Sequence, residues 1–188
     1  SYGTDINIEE VAVTVFGGVK LKKVFIRDHH KDTLIFIDRV KTNILGVKNI
    51  LNNKLIFGDL AADGLFLNIK NYKKEPHTNL DLFIDAFDDG KPSSGKFLLK
   101  ADNLTLRNSR FAMTDYNREN PKDVDFTQLN VSATDFKIQG PDVTTNIKEM
   151  SFKDHRGLFV ENLKSKFTYT KKTLNSLPQL KKVSKWKK

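Results

Sequence analysis

Apolar and polar residues alternate with a period of two along most of the chain, most clearly between Val19 and Ile44. Val19, Leu21, Val24 and Ile26 lead into a polar break, Asp28-His29-His30-Lys31-Asp32, and a second apolar run, Leu34-Ile35-Phe36-Ile37, follows. Val40, Thr42 and Ile44 then continue at a spacing of two. Such alternation predicts strands with one apolar and one wetted face, and a polar turn between two such runs predicts a β-hairpin. The hairpin has an echo. Phe152-Lys153-Asp154-His155, a short turn and Leu158-Phe159-Val160-Glu161 repeat Ile26-Arg27-Asp28-His29 and Leu34-Ile35-Phe36-Ile37-Asp38.

Before the hairpin, Ile6 and Ile8 give way at Glu9-Glu10 to Val11, Val13 and Val15, a change of phase that predicts a bulge or a short break. Gly17-Gly18 predicts a tight turn. After it, Leu45, Val47, Ile50 and Leu51 are spaced for one or two helical turns, and Leu55 to Ile69 returns to strands. The lysine-rich loop Asn71 to Thr78, with Pro76, belongs at the surface. Asn79 to Asp88 predicts a second short helix, with Leu80, Phe83, Ile84 and Phe87 on one face and Thr78 or Asn79 as its cap.

Asp88 to Gly95 is linker-like, and beyond it the strand pattern resumes. Phe97, Leu99 and Ala101, then Leu104 and Leu106, then Phe111 and Met113 precede a polar excursion from Thr114 to Asp125. Phe126, Leu129, Val131 and Ala133 follow, then Phe136 and Ile138, then Val143, Thr145 and Ile147, and Phe167 and Tyr169 close the series. Consecutive strands are expected to pair as an antiparallel meander. A dozen one-sided strands present a wide apolar face, and two short helices cannot roof it. A barrel, a two-sheet sandwich and a sheet curled into an open trough filled by something apolar remain as solutions.

Composition narrows the function more than the fold. The chain of 188 residues is 38% hydrophobic and has no cysteine, which excludes disulfides and thiolate metal sites. Seven of the nine net positive charges sit between Lys171 and Lys188, where no acidic residue occurs. The body, residues 1–170, is thus close to neutral, and a basic tail, residues 171–188, sets the charge. A tail of this kind touches phosphates of nucleic acid or lipid, but the body lacks the interleaved arginine and aromatic surface of a nucleic-acid binder. Trp186, among those lysines, suits a membrane interface. No apolar run is long enough to span a bilayer. Ser1 is not an initiator methionine, so a processed form or an excised piece is expected, with room upstream for a signal or anchor.

Asp28, His29, His30 and Asp32 are the one cluster with metal-ligating chemistry, and Asp154-His155 recurs in the echo. They lie in a turn without a third ligand group at a recognised spacing, so an Asx turn repeated by the architecture is the expected role, with no metal and no cofactor. No nucleophile elbow and no glycine-rich phosphate loop is present, and adjacent carboxylates such as Glu9-Glu10 point apart. The expectation is a non-enzyme.

Several long segments in order, among them TDINIEEVAVTVFGGVKLKKVFIRDHHKDTLIFIDRVKTNIL, GDLAADGLFLNIK, TNLDLFIDAFDDGK and FKIQGPDVTTNIKEMSFKDHRGLFVENL, resemble the N-terminal part of TamB-type, AsmA-like translocation and assembly module proteins. The resemblance covers roughly Gly3 to Tyr169. It implies a mainly β domain over residues 1–170, a long antiparallel meander curled into an open U-shaped groove (a β-taco) with two short helices. It further implies an inner-membrane anchor upstream of Ser1, a place in the periplasm of a Gram-negative envelope, and phospholipids carried along the groove towards the outer membrane. An outer-membrane β-barrel insertase is an implied partner, and a scaffold aiding outer-membrane protein assembly by strand pairing is the rival role. The family has no short catalytic motif. What carries over is a set of apolar positions expected to line the groove. They are Val11, Val13, Val15, Val19 and Leu21, then Val40, Ile44, Leu65, Leu67 and Ile69, then Leu104, Leu106, Leu129, Val131, Val143 and Ile147.

Overall fold

A computed structural model of the chain describes residues 5–14, 18–44, 54–86, 98–140 and 142–170. Val15, the helix expected near residues 45–51, the linker 88–95 and the tail 171–188 with Trp186 lie outside the described residues.

Alternating side chains produce long strands. They are β1 (Asp5–Val13), β2 (Gly18–Arg27), β3 (Thr33–Ile44), β4 (Lys54–Asn71), β5 (Leu98–Asp115), β6 (Lys122–Gln139), β7 (Asp142–Asp154), β8 (Phe159–Val160) and β9 (Ser165–Tyr169). All belong to one open sheet in which β1 to β8 lie in chain order, with β9 pairing β7 beside β8. The neighbour order of a meander is therefore present.

Two expectations need correction. The ladder is not antiparallel throughout, because β4 and β5 pair in parallel from Lys54↔Leu98 to Asn71↔Asp115. Parallel neighbours need a crossover connection, and residues 72–97, which include the helix, supply it. The strands are also fewer and longer than a dozen. β4, β5 and β6 each run 18 residues without a break. The polar excursion expected from Thr114 to Asp125 shrinks to the turn before Lys122, since Thr114 and Lys122 already pair.

The length of these strands depends on a device that looks like interruption in the sequence. Lys23, Gly64, Asn108 and Gln128 have φ of 52°, 67°, 50° and 52° within their strands. At Lys23 and Gly64 the ladder skips a residue on both paired strands without a register shift, and beside Asn108 and Gln128 the register itself shifts as at a bulge. The apolar positions shift parity at the same places, from Leu21 to Val24, from Ala62 to Leu65 and from Phe126 to Leu129. In β1 the ladder runs from Ile8↔Val24 to Glu10↔Lys22 and omits Glu9, where the phase change was expected. A transverse line thus crosses the sheet from Glu9 to Gln128, with apolar residues on one face above and below it, and a second interruption crosses at Asp102 and Asp135, the latter with φ of 56°.

Thr78 starts the one helix among the described residues, α1 (Asn79–Asp85), through a capping box in which Thr78 and Asp81 satisfy each other's backbone donors. Phe83 is its buried apolar residue, and α1 contacts β4. With seven residues α1 covers a small part of the sheet.

Candidate functional site

Directly opposed residues share a face of a sheet, so the pairing registers place the expected lining residues. One row runs Val13–Val19–Thr42–Leu60–Leu104–Ala133–Ile147, and the next runs Val11–Leu21–Val40–Ala62–Leu106–Val131–Met150, across seven strands each. Thr42, the one polar member, is buried with its hydroxyl donating to the Asp59 carbonyl at 2.9 Å. Beyond the transverse line a third row holds Ile6, Ile26, Ile35, Leu67, Phe111 and Phe126. Ile69 pairs with Met113, Leu129 with Ser109, and Val143 with Ile138 and Tyr169. Ile44 pairs with Phe57. The registers therefore bring most of the expected positions together.

The same face is closed in the middle strands and open at one edge. Val40, Ala62, Leu104, Leu129 and Ala133 are buried, whereas Val11 is 60% and Val13 73% exposed on β1. Ile6 and Ile8 share that exposure. The aromatic series Phe111–Phe126–Phe152, with ring centroids 6.1 and 4.1 Å apart, extends the apolar face and was not among the expected lining residues. The signal for it was present, because these rings occupy the shifted parity beyond the transverse line.

The opposite face is polar. A belt follows the transverse line from strand to strand: Lys22 to Glu10, Lys23 to Asp38, Arg39 to Asp63, Asn108 to Asp63, and the Asn108 backbone N–H to Asn130. Adjacent residues Asp38 and Arg39 both join the belt, which ordinary alternation forbids. The pairs are exposed to solvent, which screens them, so the belt fixes register more than stability. Three rings on this side, Phe25, Phe36 and Phe66, are capped by Arg27, Lys23 and Arg110.

The turns at one end of the sheet hold the titratable chemistry. Asp28 is 1% exposed, and four donors satisfy its carboxylate. The backbone N–H groups of His30 and Asp32 donate to Oδ1 at 2.9 and 3.0 Å, and the Tyr72 hydroxyl and Asn79 Nδ2 donate to Oδ2 at 2.8 and 2.9 Å. This is the expected Asx turn. Asp154 repeats it, with Arg156 donating from its backbone and its guanidinium, and that side chain holds the Asp154 carboxyl down at about 2. The echo extends to the backbone. Asp28 N–H donates to Asp32 O and Asp154 N–H to Leu158 O, and Lys31 and Gly157 take left-handed conformations at matching places.

Sequence spacing gave no third partner for His29 and His30, and the structure supplies one. His29 Nε2 lies 2.9 Å from Glu75 Oε2, and His30 Nε2 lies 2.6 Å from Glu75 Oε1. Glu75 comes from the loop after β4, held by its own N–H donating to the Tyr72 carbonyl. Its carboxyl is held below the usual range, chiefly by the His30 hydrogen bond. Burial, then the Asp28 and Asp32 carboxylates, push the Tyr72 hydroxyl far up, so Tyr72 acts as a donor. No sequence signal pointed to Glu75, because 45 residues separate it from His30.

No protein-family model and no curated protein matches the chain.

Proposed function

We propose that this chain is the lipid-carrying N-terminal segment of an inner-membrane-anchored envelope protein, moving phospholipids through the periplasm towards the outer membrane. In this reading the sheet curls into a U-shaped trough, its apolar face holds acyl chains, and its polar belt faces water. The observation that carries the reading is the pair of rows, apolar but for Thr42, running from β1 to β7. At a strand spacing of about 4.8 Å, seven strands extend such a row over about 29 Å. Acyl chains of one leaflet occupy half of a hydrocarbon core about 30 Å thick, so a row accommodates them. Each methylene removed from water contributes about 0.8 kcal/mol, which retains long chains without a specific polar site. The open β1 edge gives the face an entrance, and the role needs no catalytic group.

The test is mass spectrometry of lipids that remain with gently purified protein. Wild type is expected to carry phospholipid in near-stoichiometric amount. Leu106→Asp in the central row, Leu67→Asp in the third row and Val13→Asp at the open edge should each lose it while retaining the circular dichroism of a sheet. Val13 is exposed, so its substitution carries little folding risk. Folded variants that keep their lipid, or a lipid-free folded wild type, would overturn the reading.

A second reading, a scaffold that pairs strands with an outer-membrane protein or an insertase, is favoured by the two edges that no further strand pairs among the described residues. β1 exposes Val11 and Val13, and β9 exposes Phe167 and Tyr169.

A further inference from the structure

We infer that His29, His30 and Glu75 form a binding site for a divalent transition-metal ion of the zinc type, which clamps the β2–β3 turn to the loop after β4. One ligand atom from each of the three residues lies within 4.8 Å of the other two. Zinc–nitrogen distances of about 2.0–2.1 Å in a tetrahedral site set ligand atoms about 3.3 Å apart. The ligand atoms are therefore already grouped at close to the spacing of such a site, with Glu75 oxygens 2.9 and 2.6 Å from the two Nε2 atoms. Two imidazoles and one carboxylate are the borderline donor set that zinc prefers, and three protein ligands leave its fourth position to water.

The scaffold around the three ligands orients them in advance. Both histidine rings pack on Tyr72, with centroids 5.5 and 4.0 Å from its ring, and on each other at 4.4 Å. Tyr72 is in turn held by its hydroxyl, which donates to Asp28 and Asp32. The Asp28 bonds to the His30 and Asp32 backbone fix the turn that carries both rings. Such outer-layer support is what a metal site requires.

The second observation concerns which ring atoms converge. Both imidazoles present Nε2 to the two oxygens of one carboxylate, His29 to Oε2 and His30 to Oε1. His29 Nδ1 is buried and has no hydrogen-bond partner among the described residues, so no competing bond draws that ring away from Glu75. The echo hairpin supplies a natural comparison. Asp154-His155 repeats Asp28-His29, yet Arg156 replaces the second histidine and takes Asp154 as its own partner. Only the first copy assembles two imidazoles on one carboxylate.

The experiment uses the full chain, freed of metal by chelator and titrated with Zn2+ by calorimetry, and with Co2+ by visible absorption. Wild type is expected to take one equivalent of Zn2+ and to give the absorption bands of tetrahedral Co2+. Glu75→Gln, nearly isosteric and able to keep the fold, should weaken Zn2+ binding at least tenfold, and His30→Ala likewise. His77→Ala and His155→Ala should leave it unchanged. Added Zn2+ should also raise the melting temperature of wild type but not of Glu75→Gln. A wild type that binds no Zn2+ would overturn the site. So would equal binding by folded Glu75→Gln and His30→Ala, which would mark adventitious binding elsewhere.

Discussion

At the scale of single residues, this protein relies on buried carboxylates, two at hairpin turns and one inside β6. Asp28, Asp125 and Asp154 are all buried, and each accepts from several donors. The Arg110 guanidinium, bonded through Nε and Nη2 at 2.8 Å each, holds the Asp125 carboxyl down at about 2. A folded-state value below the ordinary 3.8 or so means that ionised Asp125 stabilises the fold above about pH 4. That stability is lost as pH falls from about 4 to about 2, where the folded form takes up its proton. Arg110 is 46% exposed, so solvent screening reduces the contribution to about 1 kcal/mol. Asp125→Asn should accordingly lower stability by about 1 kcal/mol at pH 7 and lose most of that deficit near pH 2. Urea unfolding at the two pH values checks this. An Asp125→Asn deficit of equal size at both would show that packing, not the ion pair, sets the cost.

At the scale of elements, the transverse line explains both how much of the fold was legible and where legibility ended. Alternation located every long strand, because one-sided burial enforces it, and the phase change at Glu9-Glu10 marked the place where the β1 ladder omits Glu9. Reading the same change elsewhere as strand ends produced a dozen short strands from long ones. The register that joins Gly64 to the Asp38 belt acts across strands and leaves no local mark. The parallel β4–β5 pair was equally hidden, since pairing direction depends on a crossover that the local pattern does not encode. In the candidate site the apolar positions were legible one strand at a time, whereas Glu75 was placed by a distant loop. Gly64 is the sharpest test of the transverse line. Its φ is 67°, and an added Cβ would lie 2.9 Å from the Asp38 Cβ. A left-handed alanine costs about 1–2 kcal/mol before any clash. Gly64→Ala should therefore lose more than about 2 kcal/mol in denaturant unfolding. Asn108→Gly, at a left-handed position with φ 50°, should cost less than about 1 kcal/mol, because strain relief offsets the lost bond to Asp63. Equal costs at the two positions would mean that the left-handed positions do not share one geometry.

At the scale of the whole molecule, the described residues leave two kinds of surface without a partner strand or cover, the apolar face toward β1 and the outer backbone of β1 and β9. A lipid satisfies the first and a partner strand the second, so the two functional readings predict different association. Exposed edges template pairing with other chains unless charge or bulges blunt them. β1 carries Asp5, Glu9 and Glu10, while β9 carries Lys166 between exposed Phe167 and the Lys164 that precedes the strand. The two edges differ in sign, and pairing of one with the other joins copies head to tail, a contact that does not close on itself. If edges drive association, light scattering should show oligomers that grow with concentration and diminish with salt. Phe167→Lys with Tyr169→Lys should then keep the chain monomeric without changing its lipid content. If the apolar face drives association instead, added phospholipid should disperse the oligomers and the β9 substitutions should leave them intact. Dispersal by lipid assigns the uncovered surface to cargo, and dispersal by the β9 substitutions assigns it to a protein strand.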